Sequence, residues 1–250
     1  MKRRSLYLTT IAVAAISLTV SILVNGPAGY AFVVPGNAEI GAGSRWEYDS
    51  NLGPVVVEMV DKVDLPPRTF YRWRLSLRGL VYEEWLELQN GQLLTWERSF
   101  SAFGLLKEKH SYPQPEYTMP APPTAGARWS WQGAVSPEPL GAEPWKARAG
   151  PPHQTLADGR KEQSHTAAAS GHVHGIETVE TPAGRFSTYH IYLERSDSLG
   201  TEQTIEIWLD PNIGVIAAEG DLHWAGLPGK IQRLIGLEHL SVRLRKYQLK

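Results

Sequence analysis

From Arg45 onward, apolar and polar positions alternate with a period of two in many short runs, and no long stretch carries the 3.6-residue period of an amphipathic helix. Val55, Val57 and Met59 share one phase. Tyr71, Trp73, Leu75 and Leu77 alternate with Arg72, Arg74, Ser76 and Arg78, which predicts a strand with one apolar and one basic face. Trp85 to Gln89 leads into Asn90-Gly91, and Gln92 to Trp96 leads away. Both central positions of a type I′ turn need φ > 0, so Asn-Gly between two such runs predicts a hairpin. Two further corners follow in Glu177 to Ile216, where Pro182-Ala183-Gly184 and Asp210-Pro211-Asn212 with Gly214 separate three β runs. In the tail, Leu240, Val242 and Leu244 alternate with Ser241, Arg243 and Arg245, a closing strand whose outer face is basic. That face reads either as a solvated edge or as a contact for anionic envelope polymer or headgroups.

Gly43-Ser44-Arg45-Trp46-Glu47-Tyr48 returns 83 residues later as Gly126-Ala127-Arg128-Trp129-Ser130-Trp131, a Gly-led turn feeding an aromatic strand each time. The second copy follows a Pro-rich link, Tyr112 to Pro123, suited to an extended crossover between two β meanders. Residues 134–161 hold Pro137, Pro139, Pro144, Pro151 and Pro152 with little periodicity and read as a surface excursion. The fold expected is all-β: a large curved antiparallel sheet or half-barrel with few helices.

The N-terminus changes the picture from fold to location. Lys2, Arg3 and Arg4 precede an uncharged, mostly apolar run from Leu6 to Val24, then Gly26, Pro27 and small residues around Ala31, which predicts an export signal over residues 1–31. At 19 residues the run is also long enough to remain as an N-terminal membrane anchor. Either way residues 32–250 are expected outside the cytoplasm as one β domain, and the membrane is met only through that segment if it is uncleaved. The chain has no cysteine, which removes disulfides, a lipid-modified cysteine, thiolate chemistry and Cys-based zinc sites. Without Lys2, Arg3 and Arg4 the chain carries 22 basic against 26 acidic residues, a formal charge of −4, and nucleic acid is not an expected partner.

Chemistry is sparse. There is no Gly-x-Ser-x-Gly elbow, no phosphate-binding Gly loop and no dinucleotide fingerprint. Glu83-Glu84 lies in a run adjoining Arg72, Arg74 and Arg78, where cross-strand pairing accounts for it. His172-Val173-His174 is the one metal-like element, because residues i and i+2 of a strand share a face. With Glu177 and Gly184 it resembles part of the first cupin motif, and His190 is the candidate third ligand. The second cupin motif is absent. A metal-dependent cupin-like enzyme using His172, His174, His190 and Glu177 is thus one alternative; a structural envelope scaffold is another. The nine tryptophans are the remaining lead. Trp73, Trp85, Trp96, Trp129, Trp131 and Trp208, all in predicted strands, are the candidate ligand-binding set if they line the concave face of a curved sheet; Trp145 and Trp224 lie in or near irregular segments.

Gly43 to Tyr48, Glu177 to Phe186 and Glu206 to Ile216 together resemble a loose group of uncharacterised bacterial exported β-proteins. The resemblance implies a curved antiparallel sheet similar to that of the lipoprotein carriers, a half-barrel able to wrap a hydrophobic ligand. It brings no catalytic residues. The expected function is therefore non-enzymatic and cofactor-free: an extracytoplasmic module binding a hydrophobic small molecule or a cell-envelope component.

Overall fold

A computed structural model describes residues 40–102, 106–137, 165–223 and 238–250. The predicted leader, the greater part of the Pro-rich excursion, Trp145 and Trp224 lie outside the described residues. Twelve strands run in chain order: β1 Arg45–Ser50, β2 Val55–Leu65, β3 Arg68–Leu77, β4 Leu80–Gln89, β5 Gln92–Ala102, β6 Leu106–Pro120, β7 Arg128–Pro137, β8 His165–Thr181, β9 Gly184–Asp197, β10 Glu202–Asp210, β11 Gly214–His223 and β12 His239–Gln248. Each pairs antiparallel with its neighbours in sequence, and β12 pairs with β1. The curved sheet expected from the alternation therefore goes further than a half-barrel and closes on itself. Closure gives the terminal strands partners and removes the exposed edges that an open sheet must protect.

The turn chemistry acts as the residue types dictate. Asn90 and Gly91 take φ of 51° and 72°, joining β4 to β5 by the two-residue turn expected of Asn-Gly. Asp210 Oδ1 accepts a 2.8 Å hydrogen bond from the Asn212 amide, the side-chain-closed turn that links β10 to β11.

One face of the alternation fills the barrel. Trp46, Tyr48, Val55, Val57, Met59, Trp73, Leu75 and Leu77 are all buried in one core cluster with Ile191, Ile207, Leu209 and Leu244. Trp46 and Trp73 pack with ring centroids 5.0 Å apart. The indole N–H of Trp46 donates to the Ile213 carbonyl at 2.7 Å and the Tyr48 hydroxyl to the Val215 carbonyl at 2.9 Å, so both aromatics are buried with their polar atoms satisfied. On β12, Val242 and Leu244 point inward. Arg243 and Arg245 point outward, where they reach Glu219 at 3.3 Å and Glu47 at 2.8 Å.

The two aromatic openings begin β1 and β7, the first strands of two six-strand meanders, and the Pro-rich link is β6. Along β5 it pairs over most of its length, but to β7 it pairs only at His110 and Ser111. Pro113, Pro115 and Pro120 have no N–H to offer a second neighbour.

Candidate functional site

The histidines of the sequence motif meet on the outer face of β8, β9 and β10. His172 pairs with Tyr192 across β8 and β9, and a bulge then inserts one extra residue, so that Gly175 rather than His174 stands opposite His190. His190 in turn pairs with Trp208. The bulge reverses the in–out phase of β8. Ahead of it the even-numbered His172 and His174 face outward; beyond it the odd-numbered Glu177 does.

The result is a continuous row of rings. His172 and His174 have centroids 4.2 Å apart, His174 and His190 4.8 Å, and His190 stacks on Trp208 at 4.8 Å with the planes 10° apart. Tyr192 flanks the row, 5.3 Å from His172. Carboxylates tie it down. His190 Nδ1 lies 3.0 Å from Glu177 Oε1 and its Nε2 3.0 Å from Glu206 Oε2, while the Trp208 indole N–H donates to Glu177 Oε2 at 3.1 Å. These bonds favour the ionised carboxylate, with the Trp208 bond foremost and that to His190 behind it, and hold Glu177 below its ordinary range. His172 is also shifted down, by burial first and then by the neighbouring His174 and Arg128. The Tyr192 hydroxyl donates to Glu194 at 2.7 Å, and that carboxylate pushes its pKa up to about 12.

The four metal-reading residues are thus gathered on one face, but not as a ligand set. Both ring nitrogens of His190 are committed to carboxylates, and among the described residues no three His, Asp or Glu side chains are placed to hold a metal ion. The geometry suits contact with the faces and edges of a ligand. A cleft of 500 Å³ adjoins the row at His172 and Tyr192, and another of 460 Å³ adjoins it at Trp208. A third, of 660 Å³, shares Ser130, Ser170 and Glu194 with the first.

The six tryptophans do not share a face. Trp73 and Trp129 belong to the core that fills the barrel. Trp85 and Trp96 cluster with Phe70 on the other face of the sheet, where the Arg72 guanidinium lies over Trp85 at 5.4 Å. Trp131 packs edge-on to Tyr112 at 5.9 Å. Trp208 alone of the six stands in the outer ring row.

A second constellation lies inside the barrel. Arg98 Nε is 3.0 Å from Glu84 Oε1 and its Nη1 is 3.1 Å from Glu116 Oε2, and the same Nη1 donates to the Tyr112 hydroxyl at 2.7 Å. Arg195 reaches Tyr112 at 2.8 Å and Glu116 at 3.6 Å. Thr95 donates to Glu84 at 3.0 Å. Two guanidiniums and two carboxylates balance in charge, and Arg98, Glu84 and Glu116 are fully buried. Burial outweighs the pull of Arg98 and pushes Glu84 up to about 7. Neighbouring His110, desolvated and close to the cation of Arg195, is pushed down to about 4.

Sequence reasoning explained Glu83 and Glu84 together by cross-strand pairing with Arg72, Arg74 and Arg78 of the adjoining run. Only Glu83 pairs that way, with Arg74 at 2.7 Å. The signal was present in the phase: Glu84 sits between inward Tyr82 and Leu86, and Arg195 follows inward Ile191 and Leu193. Glu206 and Tyr192 were also missed, because their place beside His190 and His172 depends on strand register rather than on spacing.

No protein-family model matches this chain, and no curated protein matches it in sequence. Among solved structures it is similar to a candidate lipoprotein from Parabacteroides distasonis, at 12% identity and a TM-score of 0.40 over 87% of this chain and 99% of that one. A candidate exported protein with a YmcC-like fold from Bacteroides fragilis gives 14% identity and a TM-score of 0.39 over 87% and 99%. The hypothetical lipoprotein YmcC from Escherichia coli gives 13% and 0.34 over 81% and 83%. At these identities and scores no residue role, ligand or location passes to this chain. The described residues form a closed, twelve-stranded, up-and-down antiparallel barrel with an apolar and ionic interior and an outer row of rings.

Proposed function

We propose that this protein is an extracytoplasmic, non-enzymatic binding module that takes a cell-envelope polysaccharide on the outer face of β8, β9 and β10. The observation that carries the reading is the contiguous row His172–His174–His190–Trp208, bracketed by the Glu177 and Glu206 carboxylates, with a cleft at each end. Aromatic faces cover the C–H surfaces of a sugar ring, and carboxylate oxygens accept hydrogen bonds from its hydroxyls. The N-terminal segment supports delivery across the membrane. A hydrophobic ligand on the concave face has less support, because that face is packed with the protein's own side chains.

Co-sedimentation of the purified protein with isolated cell-wall sacculi and with envelope polysaccharide tests this. Wild type is expected to pellet, and the double variant H190A/W208A to stay in the supernatant with its circular dichroism unchanged. Equal sedimentation of the two proteins refutes the assignment of the surface. No sedimentation of wild type with either material refutes the function.

A further inference from the structure

The row of rings continues beyond Trp208 into a slot. Trp208 pairs with Ala217 across β10 and β11, and Ala217 pairs with Arg243 across β11 and β12, so the three residues form one rung of the sheet. Neighbouring strands lie about 4.8 Å apart, which places the backbones of Trp208 and Arg243 about 9.6 Å from one another. The residue between them is an alanine. Ala217 is itself buried, and the cleft beside it is lined by all three residues of the rung.

The β8–β9 hairpin borders the slot. β9 pairs with β10 only as far as Tyr189, so the rest of the β8–β9 hairpin extends beyond the β10 ladder. It arches across to β12, where the Ala183 amide donates to the Leu244 carbonyl at 3.2 Å and Phe186 meets Tyr247 with centroids 6.5 Å apart. Between this arm and the sheet lies the 460 Å³ cleft, lined by Trp208, Ala217 and Arg243 from the sheet and by Thr178, Val179, Glu180 and Arg185 from the arm. Two arginines therefore line the space, one from the sheet and one from the arm. Their pairings are loose and solvent-exposed: Arg243 with Glu219 at 3.3 Å, Arg185 with Glu180 at 3.8 Å. Exposed pairs of this kind are worth about 0–1 kcal/mol, so an incoming anion displaces them at little cost.

We infer that this slot holds an acidic sugar unit of the polysaccharide, its ring against Trp208 and its anionic group held by Arg243 and Arg185. A guanidinium forks onto a carboxylate or a phosphate with equal ease. The slot deepens the binding reading and rests on it, since the ring row carries the rest of the chain away from Trp208.

Calorimetric titration with oligogalacturonate, with its methyl ester and with a glucose phosphate oligomer tests the slot, in wild type, R243Q and A217L. Oligogalacturonate is expected to bind wild type, the neutral ester at least tenfold more weakly, and both variants to lose at least tenfold for the acid. Binding of the phosphate oligomer in place of oligogalacturonate, with the same losses in the variants, supports the slot and assigns phosphate as its anion. Arg243 is half exposed, so R243Q keeps the test alive where A217L does not fold. Acid and ester binding alike, or R243Q binding oligogalacturonate as wild type does, overturns the inference. If the acids fail to bind while wild type still sediments with sacculi, the slot is wrong and the binding surface stands; if neither occurs, both fall.

Discussion

Buried Glu84 and half-buried His110, beside the same ionic network, titrate in opposite directions, which makes the pH dependence of stability a sharp test of the barrel interior. Glu84 has its pKa raised from 4.5 to about 7 in the folded protein, with burial as the leading cause. Between those values the folded state holds a proton that the unfolded state has released, so this group's contribution to stability falls as pH rises from about 4.5 to 7. His110 is shifted the other way, from 6.5 to about 4, again chiefly by burial. Its contribution falls as pH drops through that window. At 1.36 kcal/mol per unit, each group changes stability by about 2 kcal/mol between pH 7.5 and pH 5, with opposite signs, and in wild type they nearly cancel. Single substitutions separate them. Glu84→Gln leaves the histidine unopposed, so the variant loses about 2 kcal/mol relative to wild type on going from pH 7.5 to 5; His110→Asn leaves the carboxyl unopposed and gains about as much. Urea titrations at the two pH values, followed by tryptophan fluorescence, read this directly. Groups elsewhere, including the outer histidines, are common to all three proteins and drop out of the differences. Parallel profiles for wild type and both variants would refute the argument, since the two side chains would then titrate alike in folded and unfolded chains.

Two further outcomes follow from the same structure. Arg98→Leu leaves the buried carboxylates Glu84 and Glu116 without the guanidinium that bridges them, and breaking a buried pair by removing one partner costs about 3–5 kcal/mol; a denaturation midpoint within 1 kcal/mol of wild type would contradict it. Gly91→Ala tests the hairpin turn: the added Cβ meets only the Ala121 carbonyl oxygen, at an ordinary 3.6 Å. The cost therefore comes from φ of 72° and is about 1–2 kcal/mol by the same titration.

How much of this was legible in the sequence depends on where strand phase is conserved. The apolar face of β3, the Asn90-Gly91 hairpin, the corners at Pro182 and Asp210 and the closing strand β12 were all readable, because each rests on a local pattern of two to eight residues. Closure was not. The pairing of β1 with β12 joins residues about 200 positions apart, and nothing in the local alternation distinguishes a curved sheet from a barrel. The fate of the tryptophans was equally hidden. Their positions within strands were correct, but alternation says that two faces differ without saying which is concave, and Trp85 and Trp73 sit on opposite ones.

Both constellations of polar residues are built at bulges, which is why periodicity could not assemble them. In β5 the register shifts so that Thr95 and Arg98, three residues apart and of opposite phase, both face inward onto Glu84. In β8 the shift between Val173 and Gly175 does the same on the outside, bringing Glu177 to the face that holds His172 and His174. A regular strand would have turned Glu177 inward, away from His190, and left Trp208 without the acceptor for its indole N–H. The His-x-His motif therefore marked the strand on which the ring row gathers, but its period did not extend to the glutamate. Its residues were grouped by a strict two-residue period, whereas the glutamate that completes the group reaches it only because one residue breaks that period. What the bulge assembles is a histidine held between two carboxylates and stacked on an indole, a rigid polar and aromatic surface. With the apolar core on the inner face, that outer surface is the one on which the proposed polysaccharide would be met.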